Sequence, residues 1–375
     1  MYSGLDRCPV SGSTVGLTVS GSTVGLTVSG STVGLTVSGS TVGVTVSLST
    51  CTRESGQPAM TTVAIVYWCD GAGHAARSIP VAKEFEARGI DVSMAGGGQG
   101  KRFVELNGFE HPDLTTVAVK GDSPLSFLQH TLFDLVPNSA RRYREVSRWL
   151  RETDPDILVT DDIFAGIAAA RQGIEFYRID HLTPGLLGPV WGPPQWFYNW
   201  VSLQFAEGII VTSLWPDDPD PDGITRVGPL AQEGDPDDAV EPYDVLLNPG
   251  THGDGFDEIR RRLADAGYHV RTVGDDDWET KPTMTPYTAA ADVVVCTGFS
   301  SIADPVVAGT PCVIFPFLPF QKALAERAHE KDIEGVSEAR SVDAVIEQVE
   351  HYCECDEQPQ YENGAEPFVD TVLSD

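Results

Sequence analysis

Lysine is scarce in this chain of 375 residues. The sequence contains six lysines, and its 25 lysines and arginines stand against 55 aspartates and glutamates, which gives a formal net charge of −30. A surface of that sign repels phosphate backbones, so we do not expect a nucleic-acid-binding protein. Hydrophobic residues still make up 41% of the chain, enough for folded cores, and the length indicates two domains rather than one.

Long apolar runs are absent as well. No run reaches about 18 apolar residues, so we expect no membrane-spanning helix. The chain does not open with a basic segment followed by an apolar core, so we expect no signal peptide. The seven cysteines are scattered, and Cys353 and Cys355 form a lone C-x-C without a second pair. We predict no metal site and no cofactor, and a cytoplasmic protein with at most peripheral contact to the inner face of the membrane.

The excess of carboxylates over lysine is typical of cytosolic proteins from cells that accumulate salt. Aspartates crowd loops such as 217–220 and 275–277. High salt screens the self-repulsion that a charge of −30 causes in dilute buffer. We interpret the chain as halophilic in character, and an ordinary acidic enzyme is the alternative.

Residues 1–59 differ from the rest of the sequence. Residues 11–46 are four tandem nonapeptides, three of which read SGSTVGLTV and the fourth SGSTVGVTV. Gly and Ser at every junction weaken any strand that the Thr-Val alternation favours. We expect that translation starts at Met60 or that residues 1–59 form a disordered appendage, and an intact mass would distinguish these alternatives.

From Met60 onwards, apolar strand-like runs alternate with amphipathic stretches, a pattern that predicts parallel sheets in doubly wound α/β domains. We predict an N-terminal Rossmann-like domain over 60–230, a linker over 231–242, a second such domain over 243–350 and an acidic tail over 351–375 that folds back onto the first domain. Ligands of such sheets bind at the carboxyl ends of the strands, so the cleft between the domains is the expected active site. The predicted strands are Val63–Trp68, Asp91–Ala95, Thr115–Val119, Ile157–Thr160, Glu175–Ile179, Gly208–Thr212, Val245–Asn248, Tyr268–Val273, Asp292–Cys296 and Pro311–Phe315.

The first domain carries candidate acid–base residues at its predicted strand ends. Gly71 and Gly73 permit a tight turn before a helix, and His74 stands at the start of that helix as a candidate general base. Asp161 and Asp162 end another strand, and either could orient that histidine. The alternatives are a surface histidine that caps the helix, and an acidic turn or helix N-cap at the aspartates. His181 is a second histidine at the same edge, with a structural histidine as its alternative.

The second domain has two glycine-containing turns between a strand and a helix. Backbone N–H groups at two helix N-termini form a favourable cradle for a diphosphate. Asp304 lies on the same helix face as two serines of the second turn and could bind a ribose hydroxyl. The candidate donor-binding residues of these turns are Gly250, Thr251, Thr297, Gly298, Ser300 and Ser301.

Together these motifs resemble the GT-B glycosyltransferases, in particular the peptidoglycan lipid-intermediate N-acetylglucosaminyltransferases and the UDP-glycosyltransferases. The resemblance covers most of residues 60–335. Gly71 to His74 is similar to the acceptor loop with its base, 226–230 to the end of the N-terminal domain, and 290–311 to the sugar-nucleotide signature, with Asp304 where glutamate is usual. Residues 316–321 are similar to the following loop, which assigns a donor-sugar contact to Gln321.

The resemblance implies an inverting, metal-independent hexosyltransferase. It implies that His74 deprotonates an acceptor hydroxyl, which attacks the anomeric carbon of a nucleoside-diphosphate sugar, with UDP as the expected nucleotide. Five aromatic residues between 191 and 200 favour a lipid-linked sugar or a glycolipid as acceptor, with helix packing as the alternative. Competing interpretations are a UDP-sugar epimerase of the same fold and a non-catalytic nucleotide-sugar-binding regulator. A third is a surface adhesion protein, although the lack of an export signal argues against it.

Overall fold

The computed structural model describes most of the chain after Ala59 and two short segments before it. Thr251 and Asp277 lie outside the described residues, as do the side chains of 188–191. The described residues are 14–17, 44–47, 61–69, 71–110, 112–117, 136–181, 186, 188–216, 218, 220–234, 240–250, 253–276 and 278–374.

The chain divides into two units, Met1–Ala59 and Met60–Asp375. In the first unit, strand β1 (Thr14–Leu17) pairs with strand β2 (Val44–Ser47) in antiparallel register, with Thr14 opposite Ser47. Both strands come from the repeat segment, in which Thr and Val alternate as in a strand.

The first sheet of the second unit has six parallel strands in the order β4-β3-β5-β6-β7-β8. Adjacent residues of one strand point to opposite faces, and both faces are covered. Val63 and Ile65 belong to one apolar cluster, whereas Ala64 and Val66 belong to another. The strands are β3 (Thr62–Val66), β4 (Asp91–Ala95), β5 (Ile157–Thr160), β6 (Glu175–Asp180), β7 (Gly208–Thr212) and β8 (Ile224–Val227).

Helices cover this sheet on both sides. The helix Ile163–Gln172 has Asp162 as its N-cap, whose side chain accepts hydrogen bonds from two backbone N–H groups. Its C-cap is Gly173, with φ 71°. A short 3₁₀ turn, Gly98–Gly100, precedes the helix Lys101–Leu106. The described helices are α1 (Gly73–Ala87), α2 (Lys101–Leu106), α3 (Val136–Thr153), α4 (Ile163–Gln172) and α5 (Gly188–Ser202).

The second sheet has five parallel strands in the order β10-β9-β11-β12-β13. Val245 and Leu247 face one apolar cluster and Leu246 faces the other, so this sheet is also covered on both sides. Its strands are β9 (Tyr243–Asn248), β10 (Val270–Thr272), β11 (Ala291–Cys296), β12 (Cys312–Ile314) and β13 (Val336–Glu338). Its helices are α6 (Phe256–Asp265), α7 (Thr285–Ala289), α8 (Ser300–Ala308), α9 (Pro319–Glu330) and α10 (Val342–Glu354).

The last helix, α11 (Ala365–Leu373), packs on α1 of the first sheet. Phe368 and Val369 are fully buried in the cluster that also contains Ile79 and Phe85. At the rim, Arg88 Nη1 donates to Asp370 Oδ1 at 2.5 Å. The chain therefore runs from the second sheet back to the helical layer of the first. Among the described helices, none has the length and apolar character that crossing a bilayer requires.

Both sheets reverse their strand order next to their first strand. In the first sheet β3 lies between β4 and β5, and in the second β9 lies between β10 and β11. Such a reversal opens a crevice at the carboxyl ends of the two diverging strands, where doubly wound proteins bind ligands. The prediction of two doubly wound α/β domains is thus confirmed, and each sheet contributes one such crevice.

Candidate active site

His74 and Asp161 meet at the crevice of the first sheet. Val66 pairs with Thr160, so the segments that follow β3 and β5 leave the sheet side by side. His74 is the second residue of α1, and its Nδ1 lies 2.7 Å from Asp161 Oδ2. The histidine side chain is 25% exposed and that of Asp161 only 5%, so the carboxylate lies beneath a histidine that remains accessible from the cleft.

Asp161 is held as a carboxylate by its surroundings. Burial raises its pKa, but the nearby Arg77 guanidinium and His74 together outweigh burial and hold the pKa of Asp161 well below its usual range. Its Oδ1 accepts a hydrogen bond from the backbone N–H of Trp68 at 2.6 Å. An ionised carboxylate only accepts hydrogen bonds, so the His74 tautomer that fits the 2.7 Å contact carries its hydrogen on Nδ1.

Arg77 is the site residue that sequence reasoning missed. It follows His74 by three positions, so α1 presents both side chains on one face. Arg77 donates to Asp161 Oδ2 from Nε at 3.1 Å and from Nη2 at 2.6 Å. Nη2 also lies 2.5 Å from His74 Nδ1, but a guanidinium only donates, and its N–H groups find their acceptor in the shared Asp161 oxygen. His-x-x-Arg at a helix start was the only signal in the sequence.

His181, the second candidate histidine, lies in the same cluster. Arg77 Nη1 donates to His181 Nδ1. Burial, followed by the charges of Arg77 and His74, holds the pKa of His181 well below its usual value, so this imidazole is neutral at pH 7. The His74 and His181 ring centroids are 6.4 Å apart. His181 thus lies beside the candidate base. Among the described hydrogen bonds, none joins His181 to Asp161.

Asp162 points away from His74. Its Oδ1 accepts from Phe164 N at 2.7 Å at the start of α4, and its Oδ2 accepts from Arg142 Nε at 2.5 Å. Neither the Arg142 nor the Asp162 side chain has any exposed area. Burial raises the pKa of Asp162 even though the Arg142 charge opposes it. Of the two aspartates between which the sequence left the choice open, Asp161 contacts the histidine and Asp162 is the N-cap.

Helix α8 of the second sheet begins directly opposite His74. Ser300 Oγ donates to the carbonyl oxygen of Gly73 at 3.1 Å. The loop before α8 is tightly curved, with Gly298 at φ 102° and Phe299 at φ 55°, a region that residues other than glycine rarely adopt. Ser301 Oγ donates to the carbonyl oxygen of Gly298 at 2.8 Å and so closes the first turn of its own helix.

Phe299 is a second site residue that no sequence pattern marked. Its ring packs edge-on against His181, with centroids 4.7 Å apart, and in a tilted arrangement against Phe320, with centroids 5.5 Å apart. A positive φ at a bulky residue costs on the order of 1–3 kcal/mol and persists only where neighbours enforce it. The strained loop therefore joins the second sheet to the histidine cluster of the first.

The remaining predicted donor residues are placed unequally. Gly250 follows β9 with φ 60°, and a Cβ there would lie 3.5 Å from Thr297 Oγ1, so the two glycine turns are neighbours. Thr251 lies outside the described residues. Gln321 Oε1 accepts from the backbone N–H groups of Phe317 and Leu318 at 3.0 and 2.9 Å, which holds the loop before α9. Gly71, with φ 82°, supplies the turn that leads into α1.

Asp304 lies one helical turn beyond Ser300. It lines a pocket between the two halves of the second unit, the first half built on the six-stranded sheet and the second half on the five-stranded sheet. Arg77 and Ser300 also line this pocket. Burial raises the pKa of Asp304 to about 7, and the hydroxyl of Thr285, 3.5 Å away, opposes this only weakly. A buried carboxyl group with a single weak hydrogen-bond partner is stabilised by a ligand that donates hydrogen bonds to it.

The raised pKa of Asp304 predicts a pH-dependent stability. A group that binds its proton more tightly in the folded state stabilises the fold at low pH, and this contribution is lost as pH rises from about 4 to about 7. One pKa unit corresponds to about 1.4 kcal/mol, so the upper limit is roughly 4 kcal/mol. Urea unfolding at several pH values should show this decline in the wild type and a flatter curve in Asp304→Asn. Parallel curves for the two proteins would contradict the assignment.

Gly73 predicts a second measurable effect. A Cβ at this position would lie 2.8 Å from Ser300 Oγ and 3.2 Å from Ser300 Cβ. We expect Gly73→Ala to lower the free energy of unfolding by about 1–3 kcal/mol, as overpacking does. A double-mutant cycle with Ser300→Gly, followed by urea unfolding, should show that the second change recovers most of the loss. Additive effects would mean that the two residues do not meet.

No protein-family model matches the chain. Among curated proteins it is 27% identical over 169 residues to an uncharacterised glycosyltransferase of Methanosarcina mazei, a stretch that covers 42% of this chain and 44% of the relative. An uncharacterised glycosyltransferase of Methanosarcina acetivorans is 27% identical over 172 residues, 42% of each chain. The chain thus spans less than half the length of the curated relatives it matches.

Solved structures resemble the chain over most of its length. The glycotransferase of kitacinnamycin covers 80% of this chain and 92% of its own, with a TM-score of 0.56 and 19% identity. A UDP-GlcNAc 2-epimerase of Methanocaldococcus jannaschii covers 84% and 100%, with a TM-score of 0.53 and 11% identity. At these identities the likeness concerns the fold alone, and the described residues after Met60 have the mixed α/β GT-B fold with two parallel sheets.

Proposed function

We propose that this chain is an inverting glycosyltransferase that moves a sugar from a nucleoside diphosphate, with UDP as the expected nucleotide, to a hydroxyl acceptor. The observation that supports this most strongly is the His74–Asp161 pair at 2.7 Å, next to which Ser300 Oγ, at the N-terminus of α8, donates to the carbonyl oxygen of Gly73 at 3.1 Å. A base and a helix N-terminus on opposite sides of one cleft are what displacement of a diphosphate requires. The sequence similarity to glycosyltransferases agrees with this proposal.

The proton transfer begins at His74. Asp161 holds the Nδ1–H of the imidazole, which leaves Nε2 as the acceptor. Nε2 takes the proton of the acceptor hydroxyl while the oxygen of that hydroxyl attacks the anomeric carbon of the donor sugar. The new bond joins that oxygen to the carbon, and the bond between the carbon and the diphosphate oxygen breaks with its electron pair. One displacement from the face opposite the leaving group inverts the anomeric configuration.

The leaving diphosphate would gain its negative charge at the start of α8. The unpaired backbone N–H groups of a helix N-terminus carry about half a positive charge. Because Ser300 Oγ donates its proton to the Gly73 carbonyl oxygen, the donors proposed here are the backbone N–H groups at the start of α8. Stabilisation from this source requires no metal ion in the proposed mechanism. Asp304, in the adjoining pocket, would accept a hydrogen bond from a ribose hydroxyl.

The proposed acceptor is a lipid-linked sugar or a glycolipid. Helix α5 and the turn after it expose four large aromatic residues, each at 50% or more of its surface: Trp196, Phe197, Trp200 and Phe205. The rings of Phe197 and Trp200 are 5.9 Å apart, so they form one patch. Tyr198 instead packs inward on Arg178, 4.2 Å from the guanidinium. An exposed apolar patch suits an acceptor with a hydrocarbon part, while the acidic surface weakens attachment to anionic lipid.

Calorimetric titration with UDP and with dTDP, in molar KCl, tests the donor site. We expect wild type to bind one of them at micromolar strength, Asp304→Ala to lose that binding, and His74→Ala to retain it. Asp343→Ala, which changes an exposed aspartate at the start of α10, is the matched control. Absence of binding by any nucleoside diphosphate would overturn the proposal. One solved neighbour is a Streptomyces glycosyltransferase complexed with thymidine diphosphate, which is why dTDP is included.

The alternatives predict other results. A regulator would bind UDP, yet no product would form and His74→Ala would change nothing. An epimerase would convert a UDP-sugar to its epimer without any acceptor. The fold shared with UDP-GlcNAc 2-epimerases is the observation that keeps this alternative in the test.

A further inference from the structure

Three side chains of metal-ligating type converge at the end of α10, outside the cleft. His351 Nε2 lies 3.9 Å from Cys355 Sγ and 3.6 Å from Glu357 Oε1. All three ligand atoms lie within 4.8 Å of one another. The group uses none of the residues assigned to the transferase site, so an inference drawn from it does not depend on that proposal.

The local backbone explains why these residues meet. His351 and Cys355 are four positions apart at the end of a helix, so they share one helix face. The helix ends at Glu354, and the extended conformation of its C-cap Cys355 (φ −119°, ψ 165°) turns the chain and returns Glu357 to His351. Zinc binds sulfur at about 2.3 Å and imidazole nitrogen at about 2.0 Å, which places tetrahedral ligand atoms roughly 3.5 Å apart. Small side-chain rotations would bring the present separations to that value.

We propose that His351, Cys355 and Glu357 bind a divalent transition metal of the zinc class. A thiolate and an imidazole select such ions over Mg²⁺ and Ca²⁺, which prefer oxygen ligands. Three protein ligands leave one tetrahedral position for water. The surrounding excess of carboxylates raises the local concentration of cations.

The site lies where the chain leaves the second half for the first. Downstream of it, Tyr361 Oη donates to the carbonyl oxygen of Leu214 at 2.7 Å, and Asn363 Nδ2 donates to that of Ala231 at 2.7 Å. These bonds fix the crossing segment 355–364 at its far end. A metal at His351, Cys355 and Glu357 would fix its near end, so the inferred role is structural.

Cobalt titration of the full chain, first stripped with EDTA and then freed of the chelator, tests this inference. We expect a thiolate-to-cobalt charge-transfer band in wild type, and loss of that band in Cys355→Ser and in His351→Ala. Cys353→Ser is the matched control because Cys353 is two residues from Cys355, packs on the same apolar cluster, and is not among the three converging ligands. Zinc should displace the cobalt, excess Mg²⁺ should not, and affinity should rise with pH because the ligands must lose their protons.

Two results would overturn the inference. One is the absence of a charge-transfer band in wild type, and the other is a band that persists in Cys355→Ser, which would place the metal on another thiol. Removal of a ligand should weaken binding by at least about tenfold. Urea unfolding of each variant without metal shows that the fold is intact, and His351→Ala leaves all seven cysteines in place.

Discussion

Alanine in place of His74 is expected to lower the turnover number for sugar transfer by about 10²- to 10⁴-fold, the usual contribution of a general base. Among the described residues, only His74 has a partly exposed imidazole whose Nδ1 lies 2.7 Å from a buried carboxylate, that of Asp161. The measurement is release of the nucleoside diphosphate with the best acceptor from a panel of sugar and lipid-linked hydroxyls. Donor affinity should change by less than about twofold, since the proposed mechanism places His74 on the acceptor side.

The control for this prediction is His329→Ala, which changes an exposed histidine near the end of α9 and should leave turnover unchanged. Asp161→Asn should also be slow, because an amide no longer selects the productive imidazole tautomer. A His74→Ala protein with full turnover would remove the base from the mechanism. Equal losses in turnover and in donor affinity would instead indicate a damaged cleft.

Methionine in place of Arg142 is expected to lower the free energy of unfolding by about 3–5 kcal/mol, because it leaves the Asp162 carboxylate buried and unpaired. The Arg142 and Asp162 side chains have no exposed area, and Arg142 also donates to the carbonyl oxygens of Thr115 and Tyr67, both at 3.0 Å. Urea unfolding at pH 7 in molar KCl measures the effect as a shift in the midpoint with an unchanged slope.

A second substitution identifies the cause of that loss. If the unpaired charge dominates, Arg142→Met combined with Asp162→Asn should recover part of the stability, since asparagine keeps the N-cap acceptor without the charge. Arg148→Ala, on the exposed face of α3, is the matched control and should change stability by less than about 0.5 kcal/mol. A double variant no more stable than Arg142→Met alone would contradict this explanation.

The central strands were predictable because parallel strands buried on both faces read as continuous apolar runs. Ile157–Thr160 and Gly208–Thr212 agree with the prediction to the residue. The edge strand Asp91–Ala95 agrees as well. Thr115–Val119 was predicted as a strand, but over its described part, 115–117, no strand is present. The only pairing described near it is a single bridge between Gly96 and Asp113, because Thr115 N is bonded to Glu145 instead of to a neighbouring strand.

Very short strands and a proline-containing helix were the harder part of the fold. Strand β13 has three residues, Val336–Glu338, too few to show a period, and its place in the sheet depends on pairing with β12. Helix α5 contains Pro193 and Pro194, which argue against a helix in the sequence. Such elements owe their form to tertiary packing rather than to local preference.

The candidate site was predictable where strand ends carry chemistry. His74 and Asp161 follow from that rule, although the rule alone did not choose between Asp161 and Asp162. Asp304 was predicted from its place on one helix face with Ser300 and Ser301. Arg77 and Phe299 were missed because their positions depend on contacts between distant segments, with Asp161 and with His181. The lone C-x-C suggested no metal site because its relevant partner, His351, is set by helix geometry and not by the Cys-x-Cys spacing.

Proton NMR of the complete reaction tests the central claim most directly. A UDP-sugar with an α-linked anomeric carbon is incubated with the protein and its best acceptor, and the configuration of the product is read from the anomeric coupling. The account predicts a β-linked product and free UDP, with no product from His74→Ala. An α-linked product, or conversion of the UDP-sugar to its epimer without transfer, would contradict inverting transfer by the His74–Asp161 pair.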